Sequence, residues 1–539
     1  MKKLLLISLL LLLTSCGSNE IIPTETTTSA ETSPIIQVSS SDTSITLTDT
    51  VRITEAGTYV IDGTLSDGQI IIDANKNDIV TLVLNGVSIT SSASAPIYTV
   101  KAAETVIILA DGTENHITDT ATSRTNDPDA AIFAKSSLTI TGGGNLYVTG
   151  NHNHGINTKG ALVIEGGTIT VAAANDGLHG RDGISIMGGT FKITAANDGI
   201  QSNSSLFIGG GSFDIKTGGG SSNAPIRQEN FRGWGWDNLV PEEETDTESM
   251  KAIKAAASIT IENGEFIIDS EDDAFHADGD FTITNGNFTI STGDDAIHSG
   301  NELRIDGGTI NILTSYEGLE GISVDINGGV IMLKSQDDGI NAAGGSDDES
   351  HEVNSNAYIR VSGGTLAIDA DGDGIDSNGK VYFDGGDVVI SGPTESMNSA
   401  LDSETGIEIN GGNVIAAGSS GMLAIPSASS AQAVIVVYYT QNQAADTEIR
   451  LIDANGDVVA SYKPKKMYQS AIISAEQLEI GGVYTLYSDN AELCEITLSS
   501  NITTISDDGS AVTARQNGGF GGMNPGGGNR PPMNQRPNT

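Results

Sequence analysis

Apolar and polar residues alternate along this chain in short runs, and the runs recur at a fixed interval. Between Leu162 and Ala416 one phrase repeats: apolar-x-apolar, a glycine turn, apolar-x-apolar, an acidic residue, Gly or Ala, then a large apolar residue. Leu162-x-Ile164, Gly166-Gly167, Ile169-x-Val171 and Asp176-Gly177-Leu178 form one copy. Ile184-x-Ile186, Gly188-Gly189, Phe191-x-Ile193 and Asp198-Gly199-Ile200 form the next. The line returns with Phe281, Ile283, Gly286, Phe288, Ile290 and Asp295-Ala296-Ile297, and again with Val324, Ile326, Gly328-Gly329, Ile331, Leu333 and Asp338-Gly339-Ile340. The step is 22 residues from Gly155 to Gly177 to Gly199, and from Ala274 to Ala296 to Gly318.

Alternation within each run is strand periodicity. A fixed period of this size marks a solenoid, because a unit so small cannot bury its own face and must stack on its neighbours. Three short strands parted by glycine corners make one coil of a parallel β-helix. The predicted fold class is therefore all-β: a parallel β-helix solenoid with a small C-terminal antiparallel β unit. Stacked coils lie ~4.8 Å apart, so equivalent residues form columns, and the chemistry should be read down them.

The coil phrase sets the domain boundaries. The β-helix is expected over residues 36–424, with less regular first coils and polar insertions at 218–250 and 344–357. Insertions in a solenoid emerge as loops at a corner. A small β unit at 425–503, with a hairpin signal at Asn455-Gly456, is expected to cover the open end and leave a monomer. The Gly/Pro-rich stretch 504–539 is expected to be disordered. At the other end, Lys2-Lys3 and the apolar run from Leu4 to Leu13 predict a secretory signal over residues 1–15. Thr14-Ser15-Cys16 resembles a bacterial lipoprotein box, which implies that Cys16 is lipidated, that 16–35 is a spacer, and that the chain is anchored on the outer face of a bacterial membrane. An ordinary signal peptide with a chance cysteine is the alternative. Cys494 is expected to be a buried structural thiol.

Net charge changes the picture. At −44 over 539 residues, the chain has no basic surface for nucleic acid. It can meet a polyanion only across bridging cations.

Three columns carry candidate chemistry. The position before the corner Gly or Ala reads Asp176, Asp198, Lys251, Asp273, Asp295, Glu317, Asp338, Asp373, Ser399. One residue earlier stand Asn175, Asn197, Met250, Asp272, Asp294, Tyr316, Asp337, Gly372, Asn398. Two residues after the Gly or Ala stand His179, Gln201, Lys254, His276, His298, Glu320, Asn341, Asp376, Asp402, and strand alternation turns this third column outward. Carboxylates ~4.8 Å apart repel by roughly 3–4 kcal/mol at an effective dielectric of 20. Hard oxygens at such spacing suit Ca²⁺. Asp272, Asp273, Asp294 and Asp295 are expected to hold one ion. Asp337 and Asp338 with Glu317 and Glu320 are expected to hold a second, and Asp371, Asp373 and Asp376 a third. The alternative is that these acids solvate a face and form Asx turns.

Lys251 and Lys254 interrupt the acids. They either bridge to Asp198 and Asp273, neutralise a substrate carboxylate, or act as a base. His276 and His298 share one column and either bind a metal or sugar hydroxyl or stack as polar rings. Trp234 and Trp236, the only tryptophans, lie in a polar insertion. Their indoles either stack on sugar rings or pack the insertion onto the solenoid.

The opening Gly57-Thr58-Tyr59-Val60-Ile61-Asp62-Gly63-Thr64-Leu65, the phrase Val80-Thr81-Leu82-Val83-Leu84-Asn85-Gly86-Val87, the phrase Met250-Lys251-Ala252-Ile253-Lys254-Ala255 and the repeated Asp-Gly-Ile coils resemble a known family. It is the β-helical carbohydrate-binding domain of bacterial surface lipoproteins, similar in architecture to calcium-dependent pectate lyases. Over roughly residues 36–500 the resemblance implies a right-handed parallel β-helix that binds Ca²⁺ and adheres to cellulose and to acidic sugars such as polygalacturonate. It implies calcium ligation by Asp272, Asp273, Asp294, Asp295, Asp337 and Asp338. Gly372, Asn398 and Ser399 depart from the acidic pattern, so the row should end near them.

Three functions stay open at this point. The first is a non-catalytic, calcium-dependent polysaccharide binder. The second is a polysaccharide lyase with Lys254 or Lys251 as base; no Arg stands near them in the columns. The third is a surface adhesin for protein partners.

Overall fold

Main-chain hydrogen bonds run between equivalent residues of successive coils, and this one rule builds the molecule. The structure is a computed structural model that describes residues 35–38, 43–120, 128–225, 249–342 and 353–512. Ile184–Ile186 pairs in parallel with Leu162–Ile164 before it and Leu206–Ile208 after it. Thr190–Ala195 pairs likewise with Thr168–Ala173 and Ser212–Thr217, and Ile200–Ser202 with Leu178–Gly180 and Ile253–Ala255. Each coil thus gives one strand to each of three parallel faces, and the chain is a parallel β-helix. One face, here the site sheet, stacks 14 strands from Ile35–Val38 to Ile375–Ser377. Near the ends of the stack, Gly57–Leu65, Ile79–Ser91, Lys380–Ser391 and Gly406–Gly418 run unbroken through the corner between the other two faces.

Alternation places the apolar half of every strand inside. Phe191, Phe213, Phe266 and Phe288 are in register on one face. Their buried rings stack with centroids 4.7–4.8 Å apart and nearly parallel planes, the inter-strand spacing imposed on side chains. The corner ahead of each ring is tight. Gly211 has φ +127°, and a Cβ there would lie 3.1 Å from Gly189 O, so glycine is required.

The C-terminal region joins the helix through a shared sheet. Tyr468–Ser474 inserts between Gly406–Gly418 and Val434–Gln443, antiparallel to both. Beyond it, Val458–Tyr462, Ile449–Asp453, Val483–Ser488 and Ala491–Thr497 form a four-stranded antiparallel sheet in that order. Ile435, Val437, Leu451, Tyr468, Ile473 and Leu486 make a second core between the two. Ile502–Ser506 pairs with Val434–Tyr438, so a strand runs into the stretch from 504 that composition marks as disordered. Cys494 is only partly buried; its strand lies at the edge of the antiparallel sheet. The signal and spacer through residue 34, Cys16, the tryptophan insertion with Trp234 and Trp236, most of the second insertion and the tail from 513 lie outside the described residues.

Candidate functional site

The acidic corner joins the third strand of one coil to the site sheet of the next, and its aspartates turn along the helix axis. Asp176 Oδ1 accepts the backbone N–H of Asp198 at 3.2 Å, and Asp198 Oδ1 accepts that of Lys251 at 3.0 Å. Asp273 Oδ1 accepts from Asp295 at 3.0 Å, and Asp338 Oδ1 from Asp373 at 2.6 Å. Asp373 Oδ1 accepts from Ser399 N–H. One oxygen of each carboxylate therefore ties its coil to the next. The ladder buries this column, with Asp176, Asp198, Asp273 and Asp295 all nearly inaccessible.

The second oxygen faces the chemistry. His276, His298 and His179 stand three residues after an aspartate of this column, so the corner folds each ring toward Oδ2. His276 Nδ1 lies 2.7 Å from Asp273 Oδ2, and His298 Nδ1 lies 3.4 Å from Asp295 Oδ2. The third column stacks in register through His179, Gln201, Lys254, His276, His298, Glu320, Asn341 and Asp376. The His276 and His298 rings are parallel, 4.5 Å apart. His298 also meets Glu320 at hydrogen-bond distance. Burial opposes its charge, but the Asp295 and Glu320 carboxylates outweigh burial and push His298 up to about 11. The ring lies between Asp295 and Glu320, and burial with Asp294 drives the Asp295 carboxyl itself well above the carboxylate range.

Lys251 is likewise a fixed cation. Its Nζ lies 2.9 Å from both Asp272 Oδ2 and Asp273 Oδ2, with the side chain 13% exposed. Burial works against the ammonium, yet Asp273 and Asp272 raise it above the usual lysine range. Its expected bridge to Asp273 is present; Asp198 takes only the backbone N–H. Lys254 Nζ meets Ser249 Oγ at 3.1 Å.

The acids group differently from the sequence reading. Asp272, Asp273 and Asp294 bring carboxylate oxygens within 4.8 Å of one another, while Asp295 joins His298 and Glu320. Glu317 accepts from Asn341 Nδ2 at 3.1 and 3.2 Å, so Glu320 and Glu317 serve different neighbours. Asp338, Asp373 and Asp376 form the last carboxylate group. Asp371 instead pairs with Lys466 at 2.7 Å. Burial, then Asp373, Asp337, Asp376 and Glu317, drives Asp338 well above the carboxylate range. Burial and the neighbouring acids push Asp373 and Glu317 up to about 8. Carboxylates so crowded either hold protons or take a cation.

Sequence reasoning passed over His154. It occupies the acid column one coil before Asp176, immediately ahead of Gly155, and its ring packs beside Asp176 and His179. The signal was its position before the corner glycine, where most other coils carry acids.

Three overlapping segments, 48–205, 183–296 and 294–437, match the model of a family described as carbohydrate-binding domain-containing protein. The chain belongs to this family. A carbohydrate-binding domain-containing protein of Acetivibrio thermocellus is 45% identical over 128 residues, which are 23% of this chain and 45% of that relative. The aligned stretch thus spans less than half the length of this curated relative. A solved structure, titled as the polysaccharide lyase-like protein from C. thermocellum in a gadolinium derivative, is 31% identical; the match covers 49% of this chain and 87% of that one, with a TM-score of 0.34.

Proposed function

We propose that this carbohydrate-binding chain is a non-catalytic protein that holds Ca²⁺ along its acidic corner and uses it to bind polysaccharide, either cellulose or acidic plant polymers such as polygalacturonate. In this reading Cys16 anchors it to the outer face of a bacterial membrane. The observation that carries the reading is the Asp338, Asp373 and Asp376 group, whose oxygens lie within 4.8 Å of one another. Ca²⁺ binds oxygens at 2.3–2.6 Å, so two ligands of one ion are at most ~5 Å apart. The donors are all hard oxygens, and Asp338's strongest charged neighbours are all carboxylates. Glu317 and Asp337 flank the group. Asp272, Asp273 and Asp294 are a weaker candidate, because the Lys251 ammonium already pairs with two of them. Bound calcium would cancel the corner's repulsion and present positive charge to uronate carboxylates, which suits a chain of net charge −44.

A lyase would need a neutral base. Lys251 is held charged by two carboxylates, which leaves it unsuited to that role and leaves Lys254 as the lyase reading's remaining base. The deciding experiment is a pull-down of the full chain on insoluble cellulose and on polygalacturonate, with and without a chelator, while ultraviolet absorbance is followed. Calcium-dependent retention without unsaturated uronide supports the binder. Release of unsaturated uronide would replace it with the lyase, and retention indifferent to chelation would remove calcium from the account.

A further inference from the structure

At Asp176 the corner repeats the frame found at Asp273, with one substitution that changes its chemistry. Asp273 receives Lys251 from the coil before and His276 from its own coil. Asp176 receives His154 from the coil before and His179 from its own. An ammonium has no lone pair to give a metal; an imidazole has one. We propose that His154, Asp176 and His179 form a binding site for a borderline-soft divalent transition ion of the zinc class, separate from the carboxylate groups further along the corner.

The donors converge. His154 Nδ1 lies 3.0 Å, and His179 Nδ1 3.8 Å, from Asp176 Oδ2. All three ligand atoms fall within 4.8 Å of one another. A tetrahedral ion with bonds of about 2.0–2.1 Å asks for donors about 3.3 Å apart, a spacing that the 3.0 and 3.8 Å separations from Asp176 Oδ2 bracket. The site is largely buried: side-chain exposures are 9% for His154, 2% for Asp176 and 15% for His179. Both Nδ1 atoms are buried; His154 Nδ1 sits at ion-pair distance from Asp176 Oδ2, and His179 Nδ1 has no hydrogen-bond partner. Two buried ring nitrogens converge on one carboxylate oxygen, and the unpartnered His179 Nδ1 needs an explanation that a shared cation supplies.

The surroundings fix the ligands as metal sites do. Asn203 Oδ1 accepts from His179 Nε2–H at 3.1 Å, which leaves the Nδ1 lone pair facing the site. Asp176 Oδ1 is engaged by Asn197 Nδ2 at 3.0 Å and by Asp198 N–H, so Oδ2 alone turns inward. His298 Nδ1, by contrast, already meets both Asp295 Oδ2 and Glu320 Oε2.

The test uses the full chain, stripped of metal and returned to excess Ca²⁺. Zn²⁺ is titrated by calorimetry, and Co²⁺ is added as a visible-absorbing probe. The expected result is one Zn²⁺ per chain that Ca²⁺ does not displace, with a tetrahedral Co²⁺ spectrum that Zn²⁺ abolishes. His154→Gln and His179→Gln lose both signals, Asn203→Ala weakens Zn²⁺ about 10–100-fold, and His276→Gln keeps it. Melting curves in Ca²⁺ check that the variants fold; if either histidine variant does not, Asn203→Ala and His276→Gln still decide. No tight Zn²⁺ site, displacement by Ca²⁺, or loss in His276→Gln would overturn the proposal. Glycan retention is measured separately, so the zinc site and the calcium-dependent binder stand or fall independently.

Discussion

Asp273 Oδ1 accepts the backbone N–H of Asp295, one coil further on, at 3.0 Å, while Asp273 Oδ2 holds Lys251 and His276. One carboxylate therefore performs two tasks: it spaces the coils and it balances charge. The same division recurs at Asp176 and, for coil spacing, at Asp338 and Asp373.

Asp273→Ala should remove both tasks and leave the Lys251 ammonium short of a partner. Breaking a buried pair from one side costs about 3–5 kcal/mol. Asp273→Asn keeps an oxygen for the Asp295 N–H and should cost clearly less. Thermal and denaturant melts rank the variants; equal melting of both with the parent would deny the ladder a structural role.

Lys251→Gln takes the cation off Asp272 and Asp273 and leaves their oxygens beside Asp294. Without divalent ions this variant should melt lower than the parent. With them it should gain one Ca²⁺ per chain in calorimetry. An unchanged calcium stoichiometry would mean that the lysine is not standing in for an ion.

Metal-free protein should lose stability as pH rises. Burial and nearby acids push Asp373 and Glu317 from ordinary values of 3.8 and 4.5 up to about 8 in the folded chain. Between those limits the folded state holds protons that the unfolded chain has released, so stability present near pH 4 falls away through pH 8. Saturating Ca²⁺ should flatten that slope. Melts across the window in chelator, then in calcium, read both effects; a rise with pH in chelator would reverse the sign and discard the crowded-carboxylate reading.

Phe213 sits between Phe191 and Phe266 in the inward stack. Phe213→Ala should cost about 3–5 kcal/mol. Phe207, which points outward from the adjoining face and is only partly buried, should cost much less on the same change. Similar melting of the two variants would contradict the assigned inward and outward registers.

The coils were legible because each strand's apolar alternation repeats with the corner glycines, and one phase error would expose every Ile and Phe. The outward column from His179 to Asp376 followed from the same alternation. The direction of the corner aspartates did not, since their partner is a backbone N–H on another coil, which no side-chain pattern records. His154 escaped because its coil carries no acid in the aligned position. Tyr468–Ser474 escaped for a topological reason: it pairs antiparallel with Gly406–Gly418, a partner from before the strand Val434–Gln443, and local alternation does not report strand order.

The central claim is that the aligned corner carboxylates hold calcium and that calcium carries the glycan. The most direct measurement is calcium titration of chelator-treated full chain, beside an Asp338→Asn, Asp373→Asn double variant, with retention on polygalacturonate read at each step. The account predicts saturable Ca²⁺ binding that raises the melting temperature and switches on retention, with both effects lost in the double variant. Retention and melting that ignore calcium in the parent chain would contradict it.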